Sequence, residues 1–103
     1  MTARKLCALA DLPDGEARVF EVDGVELAAA RSGTKVFVVE NRCSHDDGPL
    51  GEGRLLGAEI ECPRHGARFD IESGRATRMP AIAPISTYRA TVEGDAVFVE
   101  VDA

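Results

Sequence analysis

Tryptophan is absent from the chain, tyrosine occurs once and phenylalanine four times. Basic residues are also in deficit, 12 against 18 acidic ones, for a formal charge of −6. A chain poor in basic charge and aromatic rings lacks the footprint of a nucleic-acid binder. Anionic membranes would repel it, whereas a basic protein partner would meet it faster through complementary charge. No apolar run approaches the length of a membrane span, and no stretch has low complexity. After the basic start Arg4-Lys5, the apolar run of residues 6–10 ends at Asp11 and Pro13, too short for the core of a signal peptide. Cysteine is scarce and odd in number, three in all, which argues against a disulfide framework and fits a reducing compartment. A cytoplasmic protein is expected.

What is present reads as one small domain. The 103 residues are 45% hydrophobic and 29% charged. That is enough for a single thin-cored domain, 1–103, to which a bound metal would add stability. The pattern is one of short strands and tight turns. Residues 16–22 and 25–31 read as strands joined by Asp23-Gly24, a hairpin signal. Residues 35–40 contain Val36-Phe37-Val38-Val39, which suggests a strand buried on both faces. Residues 41–57 are rich in Gly, Asp and Pro and read as loop. Short strands are expected at 58–62 and 68–71, and a loop at 79–85, which holds Pro80 and Pro84. A final hairpin pairs 86–93 with 96–101, where Val97, Val99 and Val101 alternate. The expectation is an all-β sandwich or partly open barrel of short antiparallel strands, with a smaller subdomain at about 41–85 inserted to hold something.

The chemistry-bearing pattern is Cys43-Ser44-His45, sixteen residues, then Cys62-Pro63-Arg64-His65. The chain's only two histidines each sit within three residues of a cysteine, on turn-like segments. Thiolate and neutral imidazole suit iron or zinc. Two arrangements fit this donor set. One is a [2Fe–2S] cluster with two thiolates on one iron and two imidazoles on the other. The other is a structural Cys2His2 zinc site. Zinc fingers pair Cys with Cys and His with His, whereas here each loop mixes one of each.

The two motifs, with His65-Gly66 and Phe69-Asp70 close behind, resemble the ligand motifs of Rieske-type ferredoxins. Residues 6–8 with Leu12-Pro13-Asp14-Gly15 are similar to that family's opening, and residues 80–84 to its proline-bearing loop over the cluster. The resemblance spans nearly the whole chain. It implies a Rieske-like sandwich and one [2Fe–2S] cluster held by Cys43, His45, Cys62 and His65. It implies a one-electron carrier without catalysis of its own, taking electrons from an NAD(P)H-dependent flavoprotein reductase and passing them to a non-haem iron oxygenase. A monomer is expected, since a carrier needs its cluster face free. Rieske proteins of cytochrome complexes carry an extra cysteine in each loop, where this chain has Gly48 and Arg64. They also carry a Ser and a Tyr donating hydrogen bonds to the cluster, where this chain has Ala67 and Phe69. Fewer donors stabilise the reduced state less, which places the potential near the low end of the roughly −150 to +300 mV Rieske range. The electron should enter at the histidine end, and that end should be the exposed one.

Other roles compete with this one. They are a small subunit like that of NADH-dependent nitrite reductases, a Rieske protein of iron–sulfur assembly, and a zinc-stabilised module. A self-contained oxygenase would need a second iron held by two further histidines and a carboxylate, and no histidines remain. Among other residues, Cys7 reads as a small core residue and Asp46-Asp47 as a solvated turn, the alternative being a bias on partner choice or on the ionisation of the neighbouring histidine. Gly48, Gly51 and Gly53 read as backbone wrapping closely round the centre. Pro49, Leu50, Pro63 and Pro84 form either an apolar collar or ordinary loop packing. Arg64, Arg68, Arg75 and Arg78 read as solvated charges.

Overall fold

The structure, a computed structural model, describes residues 2–44 and 46–101, without the side chain of Thr2. In chain order the strands are β1 (Thr2–Ala8), β2 (Ala17–Val22), β3 (Val25–Ser32), β4 (Lys35–Glu40), β5 (Leu55–Leu56), β6 (Glu59–Glu61), β7 (Arg68–Asp70), β8 (Ala76–Arg78), β9 (Thr87–Tyr88), β10 (Ala90–Glu93) and β11 (Ala96–Val101). One turn of 3-10 helix, Leu9–Asp11, follows β1. Among the described residues these strands make three antiparallel sheets, ordered β1-β11-β10, β2-β3-β4-β9 and β5-β6-β7-β8, with no closed barrel.

The middle sheet is buried on both faces because its strands are apolar at successive positions, and successive side chains point to opposite sides. Leu27, Ala29, Val36 and Val38 enter one core, which Val97, Val99 and Val101 of β11 complete. Ala28, Ala30 and Val39 enter a second core with Cys43, Leu50, Ile60, Cys62, Ala67, Phe69, Ile71, Ala81 and Ile85. The two-sided burial expected of residues 35–40 is therefore present, and each face of the strand serves a different core. The second core belongs to the insertion between β4 and β9. Asp23 and Gly24 both have positive φ (51° and 82°), as a two-residue hairpin of this hand requires. Cys7 is a buried member of the first core, as read from the sequence. Burial, and then the nearby Asp11, push its thiol pKa up.

Three expectations are corrected. Residues 86–93 are two strands: β9 pairs with β4 and β10 with β11, so the chain crosses between sheets at Arg89. The alternation is alike on both sides of the crossing and carries no mark of it. Residues 41–57 are not wholly loop, since Leu55 and Leu56 pair with Ile60 and Glu59. The strand Ala76–Arg78 was not expected at all. It is short, largely exposed and lies at an edge, so it lacks the apolar alternation that announces a strand.

Candidate metal centre

Two loops and a third covering segment converge at the outer end of the insertion. The first loop leaves β4 and is drawn shut by backbone bonds, Cys43 N–H to the Gly48 carbonyl and Asp47 N–H to the Cys43 carbonyl, both 2.8 Å. Its neck is held by Asn41, the one buried polar side chain among the described residues. Asn41 Oδ1 accepts the Gly51 N–H at 2.6 Å and its Nδ2 donates to Glu26 Oε1 at 3.2 Å. A buried amide satisfied at both ends fixes the loop's span. Gly53 then passes so close to the Glu61 carbonyl that a Cβ there would collide with it, which only glycine permits.

The second loop joins β6 to β7. Cys62 N–H donates to the Ala67 carbonyl at 2.7 Å, and Gly66, at φ 75°, donates back to the Cys62 carbonyl at 3.1 Å. Directly beneath it Glu61 faces Arg68 in register. Glu61 Oε1 accepts from Arg54 Nη2 (2.9 Å) and Nε (3.1 Å), and Oε2 accepts from Arg68 Nε (3.2 Å). The Arg54 bonds first, and Arg68 with them, hold the Glu61 carboxyl below its usual pKa. The covering segment is 79–85. Ala81 and Ile85 are buried in the same core as the cysteines, and Ser44 Oγ donates to the Ala83 carbonyl at 2.6 Å.

Of the four expected site residues these loops bring Cys43 and Cys62 together, His65 stands against Asp46, and His45 lies outside the described residues. Cys43 and Cys62 are 0% and 1% exposed. Their sulfurs and a carboxylate oxygen of Asp46 all lie within 4.8 Å of one another. His65 Nδ1 stands 3.3 Å from Asp46 Oδ2, and its side chain is 55% exposed. The two cysteines are thus deep and His65 is open to solvent. Ala67 and Phe69 are both fully buried and offer the site only apolar surface. Two thiols sealed from water at this separation, with the His65 imidazole reached through Asp46, suit a thiolate-and-imidazole metal centre.

Several neighbours differ from expectation. Asp46 is not a solvated turn residue: its side chain is 15% exposed, Oδ2 is shielded from solvent, and Oδ1 accepts the Gly48 N–H at 2.9 Å. The sequence placed it beside His45 but gave no sign that the loop turns it inward. Asp47, by contrast, points out and pairs with Arg42 at 3.1 Å. Of the three glycines, Gly48 lies against Arg64 of the second loop, Gly51 packs on Val19 and Gly53 on Glu61. Leu50 is core rather than collar, while Pro63 and Pro84 are exposed. The large exposed apolar residues near the site are Met79 and Ile82 on the covering segment, which the sequence reading did not single out. Arg68 is bound to Glu61, and Arg64 Nε lies 3.5 Å from Asp46 Oδ2, so neither is simply solvated.

Fold and site together define a small all-β protein with two buried cysteines on converging loops at one end, a candidate metal centre. The model of the Rieske [2Fe–2S] domain matches residues 2–89. The chain is 38% identical over 95 residues, 91% of its length and 89% of the relative's, to the 3-phenylpropionate/cinnamic acid dioxygenase ferredoxin subunit of Shigella flexneri serotype 5b (strain 8401). Among solved structures, the ferredoxin of carbazole 1,9a-dioxygenase from Nocardioides aromaticivorans IC177 superposes with a TM-score of 0.92 at 35% identity, covering 96% of this chain and 97% of that one. A complex of reduced oxygenase and oxidized ferredoxin in carbazole 1,9a-dioxygenase matches with a TM-score of 0.88 at 33% identity, covering 94% and 91%. The chain belongs to the Rieske [2Fe–2S] domain family, and its cofactor is a Rieske-type [2Fe–2S] cluster.

Proposed function

We propose that this chain is the ferredoxin component of an oxygenase system, with Cys43 and Cys62 on one iron of the cluster and His45 and His65 on the other. The cluster supplies one-electron chemistry; the chain binds it, shields it and presents it. The observation that carries the reading is the pair of sealed thiols on converging loops, with Asp46 beside them and the half-open His65 against Asp46. Core residues Leu50, Phe69, Ala81 and Ile85 surround the cysteines and keep water from the sulfurs, which favours the low potential argued from Ala67 and Phe69. On the open side, the exposed side chains of Met79 and Ile82 offer apolar contact to a docking protein.

The acceptor is a non-haem iron oxygenase, in line with the similar ferredoxin that forms a complex with its oxygenase. The donor is an NAD(P)H-dependent flavin reductase. The chain works in the cytoplasm as a single-domain monomer, residues 1–103, with its cluster subdomain at about 41–85. It has no catalytic activity of its own. No described helix is long and apolar enough to cross a membrane.

The test is the visible and EPR spectrum of anaerobically purified protein before and after dithionite, for wild type and for Cys62→Ser and His65→Ala. A red-brown protein that becomes EPR-active on reduction with the low average g of a His-ligated cluster is expected, with both variants losing that signal. A colourless zinc protein without sulfide, even after reconstitution, overturns the reading. Variants that keep the wild-type signal overturn the ligand assignment.

A further inference from the structure

Asp46 and Arg64 form a charge pair between the two loops. Arg64 Nε lies 3.5 Å from Asp46 Oδ2, the oxygen that also lies 3.3 Å from His65 Nδ1. The other oxygen is fixed by the Gly48 N–H. A carboxylate oxygen of Asp46 is within 4.8 Å of both cysteine sulfurs. The two members are unequally placed, with Asp46 15% exposed and Arg64 58% exposed. Water screens an exposed charge and leaves a shielded one effective. Gly48 is packed beneath the pair, where a Cβ would meet Arg64 Cδ at 2.8 Å, so the missing side chain leaves Arg64 room to lie across the first loop.

We infer that Asp46 and Arg64 are positioning residues that set the electron affinity of the centre, Asp46 lowering it and Arg64 partly offsetting that. The inference rests on the cluster reading above. An electron entering the centre adds negative charge beside a fixed anion, which Coulomb repulsion opposes, and a nearby cation relieves it. As a stabilising ion pair the two are worth little, because one partner is mostly solvated. Their effect is therefore legible in the potential rather than in the melting temperature.

The experiment is a redox titration of the loaded protein, with EPR of each reduced form, on wild type, Asp46→Asn, Arg64→Gln, the double variant and Asp47→Asn. Asp46→Asn should raise the electron affinity about tenfold, about 59 mV for one electron. Arg64→Gln should lower it by less. The double variant should fall between the two single ones. Asp47→Asn removes the same formal charge from the exposed neighbour, whose side chain is 73% exposed, and should shift the potential far less. If Asp46→Asn fails to hold the cluster, Arg64→Gln and Arg64→Lys decide: the first lowers the potential and the second restores it. Equal shifts for Asp46→Asn and Asp47→Asn, shifts of the same sign for Asp46→Asn and Arg64→Gln, or an Arg64→Lys indistinguishable from Arg64→Gln would overturn the inference. A wild type without the reduced Rieske signal defeats the cluster reading as well; a normal signal with unshifted variants defeats this inference alone.

Discussion

Phe69→Ala should uncouple the metal end of the protein from the rest. Phe69 is fully buried at the centre of the second core, on the interior strand β7, among the residues that enclose Cys43 and Cys62. Truncating a buried phenylalanine costs about 3–5 kcal/mol, the transfer term plus the cavity left behind. Whole domains are stable by only about 5–15 kcal/mol. For a chain of this size each kcal/mol moves the melting temperature by about 4–8 °C, so the drop should be at least about 12 °C. The loss is local, because the other face of the middle sheet packs on a separate core. On heating, the visible absorption of the cluster should therefore fall before the far-UV circular dichroism of the strands.

The control is Val97→Ala, fully buried in the first core. It removes less, about 2 kcal/mol, and should lower both signals together. Cluster release makes such melts irreversible, so scan rate must be held constant across variants. A Phe69→Ala protein melting within a few degrees of wild type, or one whose two signals coincide as they do in Val97→Ala, would refute the division into two cores.

Asp70 caps the turn after β7, accepting the Glu72 and Ser73 N–H groups at 2.8 and 3.0 Å, and the Ser73 bond chiefly lowers its pKa. A depressed folded pKa means stability present above the unfolded value of about 3.9 and lost as pH falls through the folded one. Asp70→Asn should thus cost below about 1 kcal/mol at pH 7. Urea midpoints should show that gap closing below about pH 4; a gap that widens toward acid contradicts the sign. Gly53→Ala forces the end of the first loop off the Glu61 carbonyl and should cost about 1–3 kcal/mol, seen as faster cluster loss to a chelator; an unchanged rate refutes the close approach. Cys7, buried with a raised thiol pKa, should resist iodoacetamide at pH 8 until the protein is unfolded, and Cys7→Ala should keep the wild-type visible spectrum.

Local chemistry made much of the fold legible in the sequence. Asp23-Gly24 announced its hairpin, the run Val36 to Val39 its double burial, and Val97, Val99 and Val101 their shared face. The strands of the insertion were legible only in part, because two- and three-residue strands are too short to show a period and are held by partners elsewhere. Of the candidate site, the convergence of Cys43 and Cys62 was legible, because cysteine and histidine in C-x-H and C-x-x-H spacing leave few alternatives. Asp46 was hidden for the opposite reason. Two adjacent aspartates in a turn look alike in sequence; in the folded loop, where backbone bonds tie Cys43 to Gly48 and Asp47, one aspartate lies at the sulfurs and the other at Arg42 and solvent.

That fold also explains how a short chain can hold a centre both sealed and reachable. The middle sheet lends one face to each core, so the insertion needs no separate scaffold beneath it. Its loops are then closed at their necks by polar ties, Asn41 to Gly51 and Glu61 to Arg54 and Arg68, while short backbone bonds shape their tips. The cysteines sit at the core side of those tips and His65 at the solvent side. A group that must exchange electrons without opening would gain from this arrangement: rigidity comes from the necks and the shared sheet, and among the described residues the exposed His65 imidazole offers access.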